Sequence, residues 1–256
     1  MASYQEIAPH PALRAFVDRF WVSATEAGAG PRRILPDGCI DLLVDTTRGE
    51  HAVVVGTMTR AVVFAPSTPV RIVAVRFRPG GAVPFLKTSA RGLTDRMVDC
   101  ADVGIRWLTP APLAGFANPL MAVDALQRQL LARLRASTRL DVVVAHAVSS
   151  LFGPMPPSIA ALGRETGWSR QHLARVFRAH VGIGPKRLAR VARLQRAVDD
   201  LQRGGGAGLA DAAVRLGYFD QAHMARDFRE LGGITPLGAA ASAGSIFPIR
   251  SLFAGG

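Results

Sequence analysis

Arginine is the residue type with the most chemistry to offer in this sequence, and it is unevenly placed. Lys87 and Lys186 are the only lysines among 31 basic residues. Between Arg164 and Arg203 ten basic residues stand against Glu165, Asp199 and Asp200 alone. A guanidinium grips phosphate or the edge of guanine with two parallel hydrogen bonds, and a glutamine amide does the same for adenine. A dense cationic stripe on helices is therefore the footprint of polyanion binding, with a merely solvated arginine-rich face as the plain alternative. The other reactive groups are dispersed. His10, His51, His146, His172, His180 and His223 form no paired ligand motif. Cys39 and Cys100 are too few for a disulfide framework or a thiolate zinc site, and a redox switch would need them adjacent. Asp37, Asp41, Asp45 and Glu50 could supply a carboxylate pair, but a turn at Pro36-Asp37-Gly38 and a strand edge account for the first two at less cost. No phosphate-binding loop or dinucleotide fingerprint follows a strand. No catalytic residue, metal or cofactor is expected. Trp21 with Phe16 and Phe20 is the candidate wall of a small-molecule effector pocket.

The elements that must carry these residues fall into two halves. The chain has 256 residues, 49% apolar and 20% charged with a net charge of +12, which fits globular material in one large or two modest domains. No apolar run is long enough to span a bilayer, and the N-terminus lacks the pattern of an export signal, so a cytoplasmic protein is expected. Residues 34–78 hold short β-branched runs separated by Pro, Gly and polar clusters, and Gly80–Lys87 reads as a short helix. From Asn118, Leu120, Val123, Leu126, Leu130, Leu131 and Leu134 recur at helical spacing, and Leu140–Phe152 is a second helix. The breaker Gly153-Pro154-Met155-Pro156-Pro157 marks the domain boundary, after which helix is expected to about Leu237.

That last region is duplicated. His172–Pro185 and His223–Pro236, 51 residues apart, agree at eight of fourteen positions. Each copy reads as an apolar helix, a glycine turn and a second helix capped by Ser169 or Asp220, the grammar of a helix-turn-helix. The N-terminal ends of the second helices present Ser169, Arg170, Gln171 and Arg175 in one copy and Gln221, Ala222, His223 and Arg226 in the other, the candidate base-reading residues. Arg178, Lys186, Arg187, Arg190 and Arg229 are the candidate phosphate contacts. Pro185–Gln202 is a connecting helix of 18 residues, about 27 Å long, close to the roughly 34 Å between successive major-groove faces.

These residues, with Arg175-Val176-Phe177-Arg178 and the two Gly-Ile-x-Pro endings, resemble the DNA-binding domain of the AraC/XylS family of transcriptional regulators. Ala15–Trp21, Leu35–Leu42 and Val75–Gly81 resemble a sensor-type domain that precedes it in some members. The resemblance implies a bacterial regulator of α+β class: a mostly-β, cupin-like domain over 1–115, a helical connector or dimer seam over 116–153, a double helix-turn-helix over 154–240 and a tail over 241–256. It implies double-stranded DNA as partner, RNA polymerase if the protein activates, and no membrane. A small-molecule effector and a homodimer remain open, the leucine stripe burying against a second copy or against the β-rich half. The alternatives are a DNA-binding module with a purely structural N-terminal domain, or a β-barrel enzyme with a basic helical appendage, which would need convergent His or carboxylate ligands.

Overall fold

The β-branched runs between residues 34 and 78 supply only the middle of the sheet. The computed structural model describes residues 3–47, 51–114, 118–134, 140–204 and 208–242. In it β1 (Ser3–Ile7), β2 (Val17–Thr25), β4 (Ile40–Asp45), β5 (His51–Val55), β7 (Val70–Phe77) and β8 (Met97–Asp99) form an antiparallel sheet in the order β1-β2-β7-β4-β5-β8. β3 (Arg32–Ile34) and β6 (Val62–Phe64) pair separately. β1, β2 and β8 lie outside the expected 34–78 stretch, and β3 overlaps it only at Ile34. In β2 the reason is local: Asp18 and Arg19 interrupt the apolar alternation, and Arg19 is reconciled with its site by Asp18 and Glu6, each 2.5 Å away. Gly80–Lys87 is a succession of turns and not a helix. There the backbone passes so near Phe16 that a Cβ on Gly81 would lie 2.2 Å from its carbonyl oxygen.

Alternate residues of a strand face opposite sides, so β2 sends Phe20 and Val22 one way and Trp21 and Ser23 the other. The first side is the core, where Phe20, Leu42, Val54, Val75 and Phe77 are buried. After α1 (Ala111–Ala114), α2 (Pro119–Leu134) covers that core with Ala122, Val123, Leu126 and Leu130. From Val123 on, the leucine stripe is therefore covered by the protein's own sheet, while Leu120 at its start stays exposed. Residues 116–153 are not one connector: α3 (Val142–Phe152) packs away from the sheet, its Val144, Ala147, Val148 and Leu151 joining Leu162, Leu173 and Phe177 of the helical half.

That half contains α4 (Ile159–Thr166), α5 (Arg170–Val181), α6 (Pro185–Gln202), α7 (Leu209–Arg215), α8 (Gln221–Gly232) and α9 (Pro236–Ala241). The duplication is carried out in detail. Ser169 and Asp220 accept the backbone N–H of His172 and His223 at 3.2 and 2.6 Å. Gly182 and Gly233 follow the two helices with φ of +93° and +58°, and Pro185 and Pro236 open the next ones. Glycine accepts such positive φ without a Cβ penalty. No helix among the described residues is long and apolar enough to cross a membrane. The tail expected over 241–256 lies, beyond Ser242, outside the described residues.

Candidate nucleic-acid interface

Arg170, Gln171 and Arg175 on α5 and Gln221, Ala222 and Arg226 on α8 are all exposed, at the N-terminal ends of the second helix of each unit. Leu173 and Phe177 on one helix, and Met224 and Phe228 on the other, are fully buried beneath them. An anchored inner face with a polar, N-terminal outer face lets a helix enter a groove without disturbing its own core. Ser169 and Asp220 are exposed but serve as caps. The two equivalent histidines turn back into the protein. His172 lies against Trp168, 4.9 Å between ring centroids, with Arg175 Nη2 3.2 Å from its Nδ1. His223 Nδ1 accepts the backbone N–H of Phe219 at 3.3 Å, its Nε2 lies 3.2 Å from Arg193 Nη2, and its ring meets Tyr218 edge-on.

The candidate phosphate contacts divide in the same way. Lys186, Arg178 and Arg229 are exposed. Arg187 donates to the carbonyl of Thr59 at 2.8 Å and approaches Glu230 at 3.3 Å, while Arg190 is bound to Asp227 and Glu230. Arg190, Lys186, Arg170, Ala174 and Arg178 line one groove of about 370 Å³ between α5 and the start of α6. Arg190 thus borders this groove beside α5 and also binds Asp227 and Glu230 of α8, so one side chain of α6 touches both units. A row of guanidiniums there raises the local potential toward polyanions.

The β-rich half grips the back of this arrangement. Three hydroxyls donate to carbonyls at the C-terminal end of α5: Ser89 to Ala179 at 3.3 Å, Thr57 to Val181 at 2.5 Å and Thr94 to Gly182 at 2.8 Å. These carbonyls have no partner within the helix, so the hydroxyls satisfy acceptors that would otherwise be left open. Ala61 donates its backbone N–H to the Leu231 carbonyl at 2.7 Å, Arg33 binds the Gly232 carbonyl at 3.2 Å, and Leu35 is buried in the core of the second unit.

Between the two halves lies a cavity of about 1040 Å³. Ile34, Leu43, Val55, Ile72 and Ile183 give it apolar walls, and Arg60, Arg96, Arg178 and Arg187 also line it. Of the three candidate pocket-wall residues, Trp21 is part of this lining. Phe16 and Phe20 are not: they sit in the core behind the sheet, Phe20 because it alternates with Trp21, and Phe16 stacked edge-on to Phe85 at 5.8 Å. At the sheet end of the cavity Arg76 binds Asp41 at 3.0 Å through two nitrogens and reaches Asp37 at 3.4 Å. Burial alone would lower the Arg76 pKa, but the two carboxylates outweigh it and hold the guanidinium charged. Burial raises the Asp37 carboxyl above its ordinary value against the pull of Arg76, and its Oδ1 accepts the Cys39 N–H at 2.8 Å, a turn contact. These carboxylates close on an arginine and the backbone, which leaves no free acid–base pair between them. Burial likewise raises both thiols, Cys100 to about 12, and both cysteines are free and buried. Among the described residues no group of three or more His, Cys, Asp or Glu is placed to hold a metal.

Sequence reasoning missed the hydroxyls of Thr57, Ser89 and Thr94, which carry no pattern. It also missed Asp227, although a signal existed: the repeat sets Asp227 against Val176, an acid where the first copy has an apolar residue.

Comparison with known proteins follows the two halves. Residues 5–99 match a family described as a domain of unknown function, DUF6597, and residues 162–240 match a helix-turn-helix domain family. No curated protein matches the chain. Among solved structures, a transcriptional regulator with an AraC-type DNA-binding domain from Chromobacterium violaceum is 24% identical over 40% of this chain and 88% of that one, with a TM-score of 0.35. ToxT from Vibrio cholerae is 8% identical, covering 94% of this chain and 97% of its own, with a TM-score of 0.41. Its unsaturated-fatty-acid-bound form is 11% identical over 92% of each chain, with a TM-score of 0.39.

Proposed function

We propose, for a chain whose residues 162–240 are an AraC-type helix-turn-helix DNA-binding domain and whose residues 5–99 are a DUF6597 domain, that this transcription regulator reads two adjacent major-groove segments of a promoter, one with α5 and one with α8. The observation that carries this reading is the pairing of Arg170, Gln171 and Arg175 with Gln221, Ala222 and Arg226: two exposed, equivalent helix ends joined through an 18-residue α6. A helix of that length spans about 27 Å, which suits recognition helices set about one DNA turn apart. Lys186, Arg178 and Arg229 are suited to phosphate, whereas Arg187 and Arg190 act first within the protein.

The N-terminal half, in this reading, senses a small molecule in the cavity between the halves. Its volume of about 1040 Å³ and apolar walls suit a mostly apolar compound, and the arginines in its lining favour one bearing an acidic group. Two features of one cavity support control of DNA binding from there: Arg178 and Arg187 line it and also line the groove beside α5. Selection of bound duplexes from a random-sequence pool by the full chain, followed by hydroxyl-radical footprinting, tests the DNA reading. Two protected segments about one turn apart are expected. A single segment, or no preferred sequence, would refute it. A cavity of purely structural origin would leave DNA affinity indifferent to bulk placed inside it, as in Leu43→Trp.

A further inference from the structure

The two units are equivalent at most positions but not where they meet the connecting helix. Val176 in the first unit corresponds to Asp227 in the second, and Asp227 is only 1% exposed. A buried carboxylate is costly unless it is paired and hydrogen-bonded. Here it is both. Its Oδ1 accepts from Arg190 Nε at 3.0 Å and Nη2 at 2.8 Å, and its Oδ2 accepts from Arg193 Nη2 at 2.9 Å. Glu230, three residues on, accepts from Arg190 at 2.7 Å and from Arg187 at 3.3 Å. Arg187, Arg190 and Arg193 recur every three residues along α6, so three guanidiniums face two acids as an antiparallel ladder between α6 and α8.

The ladder ends at the start of the second recognition helix. Arg193 also donates to the Gly217 carbonyl at 3.1 Å, lies 4.4 Å from the Tyr218 ring centroid and contacts His223, which in turn accepts the Phe219 N–H. The turn and the first residues of α8 are thus tied to one arginine, and that arginine is tied to Asp227. The first unit meets α6 through Leu173, Phe177, Leu188 and Val191 alone among these contacts, whereas the second adds the ladder to an apolar contact of its own, Met224, Phe228 and Leu231 with Leu194 and Val198. Apolar contact is non-directional, whereas a carboxylate held at Oδ1 by one guanidinium and at Oδ2 by another fixes both distance and angle.

We propose that Asp227 is a positioning residue for DNA recognition: clamped by Arg190 and Arg193, it sets the orientation of α8 on α6, so that base reading by the second unit depends on it and base reading by the first does not. This rests on the two-segment reading above. Glu230 extends the clamp, and through Arg187 and the Thr59 carbonyl it joins the second unit to the β-rich half.

The test uses the full chain and the duplex that the wild type recovers from a random-sequence pool, with versions scrambled in either segment. The segment belonging to the second unit is the one whose preference Arg226→Ala relaxes. Asp227→Asn, which keeps the shape and removes the charge, is expected to lower affinity for the intact duplex about 10- to 100-fold, the scale of one or two lost base contacts. Scrambling the second segment should then cost it nothing further, scrambling the first should still matter, and hydroxyl-radical protection should vanish only over the second. Glu230→Gln should show the same pattern more weakly, and Asp227→Glu should restore part of the discrimination. A folded Asp227→Asn protein that still reads both segments, or loses both equally, would overturn the proposal. Should Asp227→Asn fail to fold, Glu230→Gln decides: unchanged reading of the second segment overturns it. A wild type with no two-segment preference would remove the underlying reading and this proposal together, whereas an intact preference in every variant removes this proposal alone.

Discussion

Gln195, in the middle of the helix that joins the two helix-turn-helix units, donates its side-chain amide to the carbonyl of Pro36 in the β-rich half at 2.6 Å. Both groups are buried, and the neighbouring Gly38, at φ +82°, leaves so little room that a Cβ would lie 2.5 Å from Leu188 Cδ1. The loop and the helix were shaped to each other. Gln195→Leu should lower the unfolding free energy by about 1–3 kcal/mol, because it strands the Pro36 carbonyl. Gly38→Ala should cost about 1–3 kcal/mol through backbone strain and the clash. Urea unfolding of the full chain checks both. The Gln195→Leu cost should disappear in a fragment that lacks Pro36.

Base reading and phosphate contact predict different losses. Arg175→Ala and Arg226→Ala should each cost about 1–3 kcal/mol on the selected duplex and relax preference at one base pair. Binding assays across single-base variants of that duplex measure it. An equal loss on every sequence would refute base contact by either residue.

Lys186 is exposed at the start of α6 and has no candidate base-reading residue on its own turn. Lys186→Ala should weaken all duplexes alike and reduce the slope of log affinity against log salt by about one. A slope equal to that of the wild type would exclude a phosphate contact.

Helix α3 belongs to the helical half by its packing, since Val144, Ala147, Val148 and Leu151 are each at most 3% exposed among residues of that core. A fragment starting at residue 140 should therefore melt cooperatively and bind DNA. One starting at 154, where the proline-rich breaker suggests cutting, should be much less stable, since it loses four core side chains worth roughly 1–3 kcal/mol each. Equal melting temperatures for the two fragments would contradict this assignment of α3.

The thiols give a prediction in pH. In the folded protein burial holds the Cys100 thiol protonated up to about 12, against an ordinary value of 9.0 in the unfolded chain. Between those values the native state keeps a proton that the unfolded state has lost. Its contribution is present in full below about pH 9 and declines as pH rises toward about 12. Tyr4 and Tyr218, raised by burial, act in the same direction. Unfolding midpoints in urea should fall as pH rises from about 9 to about 11, and by less in Cys100→Ala. A thiol reagent at neutral pH should modify neither cysteine until the protein unfolds.

Much of the helical half was legible because its information is local. A repeat at a constant offset, caps at Ser169 and Asp220 and a proline opening α6 are all written within a few residues of where they act. The β-rich half was less so. In β2 charges occupy a strand because Glu6 and Asp18 neutralise Arg19, and Glu6 comes from the strand that pairs with it. The pocket wall illustrates the same limit. Phe16, Phe20 and Trp21 are near neighbours in the chain, but only strand direction and the opposing helices decide which of them meets the cavity. The helix stripe at 120–134 announced that it would be covered, not by what, and the cover proved to be its own sheet.

The three hydroxyl bonds on the rear of α5 differ in kind from the charges on its front. Neutral contacts of this sort contribute about 0.5–1.5 kcal/mol each and are little affected by ionic strength, whereas binding through guanidiniums weakens steeply as salt rises. Moderate salt should thus strip the protein from DNA while the two halves stay joined, so that it leaves as one piece, with its seam still closed and the cavity between the halves still walled on both sides.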